Sequence, residues 1–146
     1  MAHTHSQSFV LLLEAHMPSA DAFHVAWREI VKDVDPPSVT NWGSDSAGLE
    51  QDGISTVVAC IPAPVPNREA ETAAAHSVSA FRAGGFTPAP HVAHLIVASG
   101  SPTAAHVERL LRHTRVVAAL TKAAAATGVY EGSAGATHDP EFYVDV

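Results

Sequence analysis

Near the start of the chain five apolar residues follow one another, Phe9-Val10-Leu11-Leu12-Leu13, before Glu14 and His16. A run that short, with no polar position inside it, predicts a strand covered on both faces. Pro18-Ser19 then marks a helix start, with Ser19 as N-cap and Asp21 set against the positive end of the dipole. Phe23, Trp27, Ile30 and Val34 recur at helical spacing and form one stripe. Asp35-Pro36-Pro37 is expected to stop this helix, because a residue before proline is pushed out of the α region. Val39 to Trp42 reads as a short strand. Leu49-Glu50-Gln51 and the run from Ile54 to Ile61 flank Asp52-Gly53, the composition of a tight hairpin turn.

Pro62, Pro64 and Pro66 exclude a regular helix or a central strand and predict a stiff extended connector. An alanine-rich helix is expected from Arg68 to Phe81, a break from Gly84 to Pro90, and a third strand from His91 to Ala98. Ser101-Pro102 reads as the next helix start, with proline at its first position. Val107, Leu110, Leu111, Thr114, Val117, Ala118 and Thr121 are expected to line its inner face, with Glu108, Arg109, Arg112 and Arg115 outside. Gly128 is the expected C-cap. Val129-Tyr130 and Phe142-Tyr143-Val144 read as short strands around a Gly-rich and Asp-Pro turn.

The two ends of the chain resemble one another. Phe9 to Leu13 followed by Pro18-Ser19-Ala20-Asp21 echoes Leu95 to Ala98 followed by Pro102-Thr103-Ala104-Ala105. Trp42-Gly43-Ser44 is matched by Tyr130-Glu131-Gly132-Ser133. The expected architecture is therefore α+β: two βαββ-like halves, about residues 7–61 and 91–146, forming a mainly antiparallel sheet with helices packed on one face. A Pro/Ala-rich connector, 62–90, joins them within one domain, 1–146.

At Ile61-Pro62-Ala63-Pro64-Val65-Pro66 with Glu69 and Glu71, the chain resembles an uncharacterised bacterial family, domain of unknown function 4261. The family's His-x-x-His strand is similar to His91-Val92-Ala93-His94-Leu95. A Thr-Arg-Val-Val-Ala-Ala-Leu helix leading to Gly-Val-Tyr is similar to Thr114–Leu120 and Gly128–Tyr130. The likeness runs best over residues 54–146 and departs from the family between Thr72 and Phe86, where tryptophans give way to alanines. It implies a fold and no activity.

Composition narrows the function classes. At 146 residues and 47% apolar, the chain can bury a real core, and disorder is excluded as its main description. A net charge of −7 argues against binding a phosphate backbone, so nucleic acid is not expected as a partner. One cysteine, Cys60, excludes an internal disulfide. No basic segment precedes an apolar stretch of signal-peptide length, and no apolar run is long enough for a bilayer. A cytoplasmic protein without a membrane partner is expected.

Ten histidines make metal binding worth weighing. His91 and His94, three apart, are expected on opposite faces of a strand and could share a metal only if His91 sits in the loop before it, and His106 and His113 lie two turns apart. There is no His-Glu-x-x-His, no Cys-x-x-Cys and no calcium-type carboxylate spacing, so no metal and no cofactor are expected. No nucleophile elbow or phosphate loop is present either, and no catalytic residue is assigned. An enzyme would need His91, His94 and His138 to converge with Cys60 or an aspartate.

Charge is unevenly spread. Residues 1–60 carry eight carboxylates against Arg28 and Lys32. Asp33, Asp35, Asp45, Glu50 and Asp52 fall in or beside expected loops and are the candidate contacts for a partner protein with a basic surface. The first functional expectation is thus a non-enzymatic binding protein, of the immunity type that neutralises a toxin. The alternative is a small-molecule binder with an apolar cleft between the halves, at Trp42, Tyr130 and His94. A homodimer through an open sheet edge is a further expectation.

Overall fold

The apolar run forms β1 (His5–Leu12). In this computed structural model, which describes residues 5–74, 90–131 and 136–145, β1 supplies both faces of the sheet. Val10 and Leu12 enter the main core, while Phe9 and Leu11 join a smaller cluster on the other side. Both faces are covered, as an unbroken apolar run requires.

α1 (Ala20–Ile30) begins where expected, with the Ser19 hydroxyl accepting the Ala22 amide at 3.1 Å. Phe23 and Trp27 are fully buried. The helix ends at Ile30 and not at the prolines. Val31 is already extended, Asp33 takes a φ of 62°, and the Trp27 indole donates to the Val34 carbonyl at 2.9 Å. The indole thus reels the departing chain back over the helix. Ser19→Ala removes the cap and is expected to cost about 1 kcal/mol, read as a lower urea midpoint with an unchanged slope.

β2 (Ser38–Trp42), β3 (Ser46–Gln51) and β4 (Ile54–Ile61) form a meander. The turn between β3 and β4 is the expected one, Asp52 and Gly53 both having positive φ, 52° and 79°. The proline connector leads through a turn at Pro66–Arg68 into α2 (Glu69–Ala74). The rest of the helix expected over 68–81 lies outside the described residues.

The second half contains β5 (Ala93–Gly100), α3 (His106–Ala123), β6 (Gly128–Glu131), β7 (Ala136–His138) and α4 (Pro140–Asp145). Several boundaries differ from expectation. Ser101 does not start the helix; its hydroxyl accepts the amides of Thr103 and Ala104, holding a bend that delays α3 to His106. Ala125, at φ 49°, takes the left-handed position after α3, and Gly128 instead opens β6. There a Cβ would lie 3.3 Å from Leu11. Phe142-Tyr143-Val144 is helical and not a strand. Pro140 suits the first turn, and the Tyr143 amide bonds the Asp139 carbonyl at 3.0 Å.

The largest correction concerns α3. Val107, Leu110 and Leu111, expected inside, are 73%, 46% and 43% exposed, while Arg109 and His113, one expected outside, are buried. Val116, Val117 and Leu120 fix the inward arc, and the helix carries that phase back to 113 and 109. Polar partners on the sheet make this tolerable, as described below.

The strands form one sheet in the order β2-β3-β4-β5-β1-β6-β7, every neighbouring pair antiparallel. The fold is α+β. β1–α1–β2–β3 and β5–α3–β6–β7 share an order of elements but not a placement of strands, with β1 and β5 paired at the centre. The first half adds β4, so its strands run inward from the edge while β6 and β7 step outward. The two long helices pack together on one face, over Leu49, Val58, Leu95, Val97 and Val129. The short α2 lies on the other, over Leu11 and Tyr130.

Candidate functional site

Four of the five singled-out carboxylates meet in one place. Asp33, Asp35, Glu50 and Asp52 line an open groove of about 720 Å³ at the β2 edge, with Arg112 on its wall. Strand pairing produces this convergence. Ser38 sits opposite Glu50, so the loop before β2 is carried to the end of β3 and the hairpin turn beyond it. The Gln51 amide fastens that loop by donating to the Asp35 carbonyl at 2.8 Å. Arg112 reaches Asp52 at 2.8 Å and Glu108 at 3.7 Å, which leaves Asp33, Asp35 and Glu50 facing solvent without its cation. All four carboxylate residues are exposed. The groove is therefore a local negative field on a fixed backbone, suited to guanidinium and ammonium groups.

Asp45 does not belong to it. It precedes β3, at the opposite end of that strand from Gln51, and its carbonyl accepts the Cys60 amide at 2.8 Å. Burial, and then Asp45, push the Cys60 thiol above its ordinary range, which makes it a poor nucleophile.

Trp42, Tyr130 and His94 do not share a cleft. Trp42 packs on the helix side, 5.6 Å from the Phe23 ring, with its indole on the Pro18 carbonyl at 3.0 Å. It borders a separate open groove of about 640 Å³ between the start of α1 and the end of α3. Tyr130 and His94 lie on the opposite face, flanking Phe9 at 5.5 and 5.8 Å. There the Tyr130 hydroxyl donates to Glu69 at 3.3 Å and His94 Nδ1 meets the Ala63 carbonyl at 2.7 Å. Both residues are used in holding down the connector.

The three histidines do not converge either. His91, expected to open the strand and face away from His94, lies before β5 starts at Ala93 and so accompanies His94 on the α2 side, whereas His138 lies beside the Tyr143 ring at 5.9 Å. Cys60 packs against the main core on the helix face. Among the described residues no three His, Cys, Asp or Glu side chains are grouped to hold a metal ion.

A polar chain that sequence reading missed crosses the main core. Thr56 and Ser99 hydroxyls are 2.8 Å apart, Ser99 is 2.8 Å from His113 Nδ1, and His113 Nε2 is 2.7 Å from Ser8. Ser8 donates to Glu131 Oε2 at 2.7 Å, and Tyr143 donates to Oε1 at 3.2 Å. Because Ser8 gives its proton to Glu131, it must accept from His113 Nε2–H. His113 Nδ1 then accepts from Ser99, and Ser99 from Thr56. The bonds all run one way, towards the carboxylate. Burial, with Arg109 nearby, lowers the His113 pKa to about 4, so the ring is neutral at pH 7. Burial raises Glu131, against the hydrogen bonds from Ser8 and Tyr143 that lower it.

Ser8 and Ser99 stand beside a histidine, yet they are 0% and 1% exposed. A nucleophile needs a substrate within reach, and here sheet and helix close over both hydroxyls. The chain of bonds fastens α3 to four strands. The legible signal was the period of two, which puts Ser8 with Val10 and Leu12, and Ser99 with Leu95 and Val97.

No helix among the described residues is long and apolar enough to cross a membrane. No family model matches the chain, and no curated protein or solved structure matches it.

Proposed function

We propose that the chain is a non-enzymatic binding protein that captures a partner protein with a basic surface, in the manner of an immunity protein neutralising a toxin. One observation carries this reading. Asp33, Asp35, Glu50 and Asp52, from separate stretches of chain, share a groove, and Arg112 offsets only part of their charge. Carboxylates on a rigid sheet edge accelerate encounter with a cationic partner and fix its orientation. The resemblance of residues 54–146 to domain of unknown function 4261 belongs to the same proposal and adds an expectation of fold alone.

The test leaves Asp52 in place, since it holds Arg112 and turns the hairpin. Asp33→Asn, Asp35→Asn and Glu50→Gln together are expected to weaken binding of a Lys/Arg-rich peptide about tenfold at low salt, or about 1.4 kcal/mol. The wild-type affinity is expected to fall with added salt, and the triple variant's much less. Equal affinities measured by calorimetry would contradict the reading.

The groove at Trp42 supports a second reading, a small apolar ligand held beside Met17 and Pro18. A metabolite that raises the melting temperature of the wild type but not of Trp42→Ala would support it.

A further inference from the structure

The connector after β4 is tied to the sheet by two histidines that hold it in different ways. His94 Nδ1 donates to the Ala63 carbonyl at 2.7 Å. His91 Nε2 accepts the Val65 amide at 3.0 Å, and its Nδ1 faces Glu71 on α2 at 3.4 Å. The His91 side chain is only 1% exposed. Beneath this strap Val65, Ala70 and Ala73 cover Leu11, Tyr130 and Phe9.

The two bonds respond oppositely to a proton. A protonated His94 still donates from Nδ1, so its bond to Ala63 survives. His91 can accept from Val65 only while Nε2 carries no hydrogen; with both nitrogens protonated, two N–H groups face each other. The Val65 tie is then lost while the Ala63 tie remains. We propose that residues 62–68 form an acid-released strap, held at Ala63 by His94 and at its far end by the Glu69 and Ala70 ties, and let go at Val65 when the His91 ring takes up a proton.

The surroundings set the direction. Burial, the largest effect, lowers the His91 pKa from 6.5; Glu71 opposes this and His94 reinforces it. Around this pair β6 and α2 contribute Tyr130, whose hydroxyl rests on Glu69, and β7 contributes Thr137, bonded to the Ala70 carbonyl at 2.6 Å. A ring whose pKa is lowered in the closed state binds protons better in the open one. Below pH 6.5 the open form therefore gains, by at most about tenfold per pH unit for one proton.

Amide hydrogen exchange on the full chain reads this directly at Val65. Between pH 7.5 and 5.0 its protection factor, corrected for the intrinsic rate, is expected to fall several-fold, and to fall more than those of Ala73 and Ala74, whose helix Thr137 and Tyr130 still hold. Amides of Val10 and Leu95 in the central strands are expected to hold. In His91→Gln, whose side-chain oxygen accepts a hydrogen bond and does not titrate, Val65 protection is expected to be independent of pH. A flat wild-type profile, or the same fall in His91→Gln, overturns the proposal. Ring nitrogen shifts of His91 in the wild type give a test that does not depend on the variant folding. Protonation that coincides with loss of Val65 protection supports the strap. Protonation with Val65 still protected, or a ring that stays neutral to pH 5.0, overturns it.

Discussion

Lowering the pH from 7.5 to 4 is expected to remove about 3 kcal/mol of stability through His113 alone. Its pKa in the fold is about 4, against 6.5 for an unperturbed ring. A group lowered by folding contributes stability that is fully present above the unfolded value. That contribution drains away as pH falls from 6.5 towards 4, at about 1.4 kcal/mol per unit. The physical event is a proton arriving at Nδ1, where Ser99 donates, inside a core that cannot solvate the charge. Glu131, whose pKa is raised by burial, acts in the opposite sense as acid neutralises it. His113→Leu is expected to flatten much of the profile while lowering stability at pH 7, because Ser8 and Ser99 each lose a partner. Urea unfolding across this pH range measures both. A loss of stability between pH 7.5 and 4 no larger in the wild type than in His113→Leu would remove His113 from this role.

Trp27→Ala is expected to cost about 3–5 kcal/mol, the range for emptying a large buried aromatic site. Trp27 is 0% exposed and meets Phe23 at 6.1 Å between ring centres. It also satisfies the Val34 carbonyl, so the substitution frees the segment that carries Asp33 and Asp35. The variant is therefore expected to bind a cationic peptide more weakly than its folded fraction alone explains. Phe23→Leu, which keeps the indole, serves as the comparison; parallel losses of affinity in the two variants would show that the tie does not position the groove.

Local pattern carried the reading where neighbouring residues decide the outcome. Ser19, the Phe23–Trp27 stripe and Asp52-Gly53 each act within a few positions of themselves, and their elements formed as expected. The reading failed where a distant residue decides. The inward phase of α3 takes Arg109 to Ser6, at 3.4 Å, and His113 to Ser8 and Ser99, which makes burial of both polar side chains tolerable. Those serines lie on other strands, so the apolar trio Val107, Leu110 and Leu111 looked like the better core stripe. Tyr143 lies in a helix, from which its hydroxyl reaches Glu131, despite the strand propensity of its neighbours. β7, at three residues, is too short to carry a pattern.

The candidate site divides in the same way. The excess of carboxylates in the first sixty residues was visible as composition. That Asp35 and Glu50 meet while Asp45 is left behind depends on the register that sets Ser38 against Glu50. Trp42 and Tyr130, expected at matching positions, fall on opposite faces because side chains alternate along a strand: Val129 takes the helix side of β6, which turns Tyr130 to the other, whereas Trp42 lies on the helix side of β2.

The most direct test of the acidic groove as a binding surface is backbone NMR of the chain during titration with a short Lys/Arg-rich peptide at low salt. Shifts concentrated on residues 33–35 and 50–52 and on Arg112, saturating and reversed by added salt, are the predicted result. Shifts centred on the exposed stripe of α3 or on the Trp42 groove, or none at all, would contradict it.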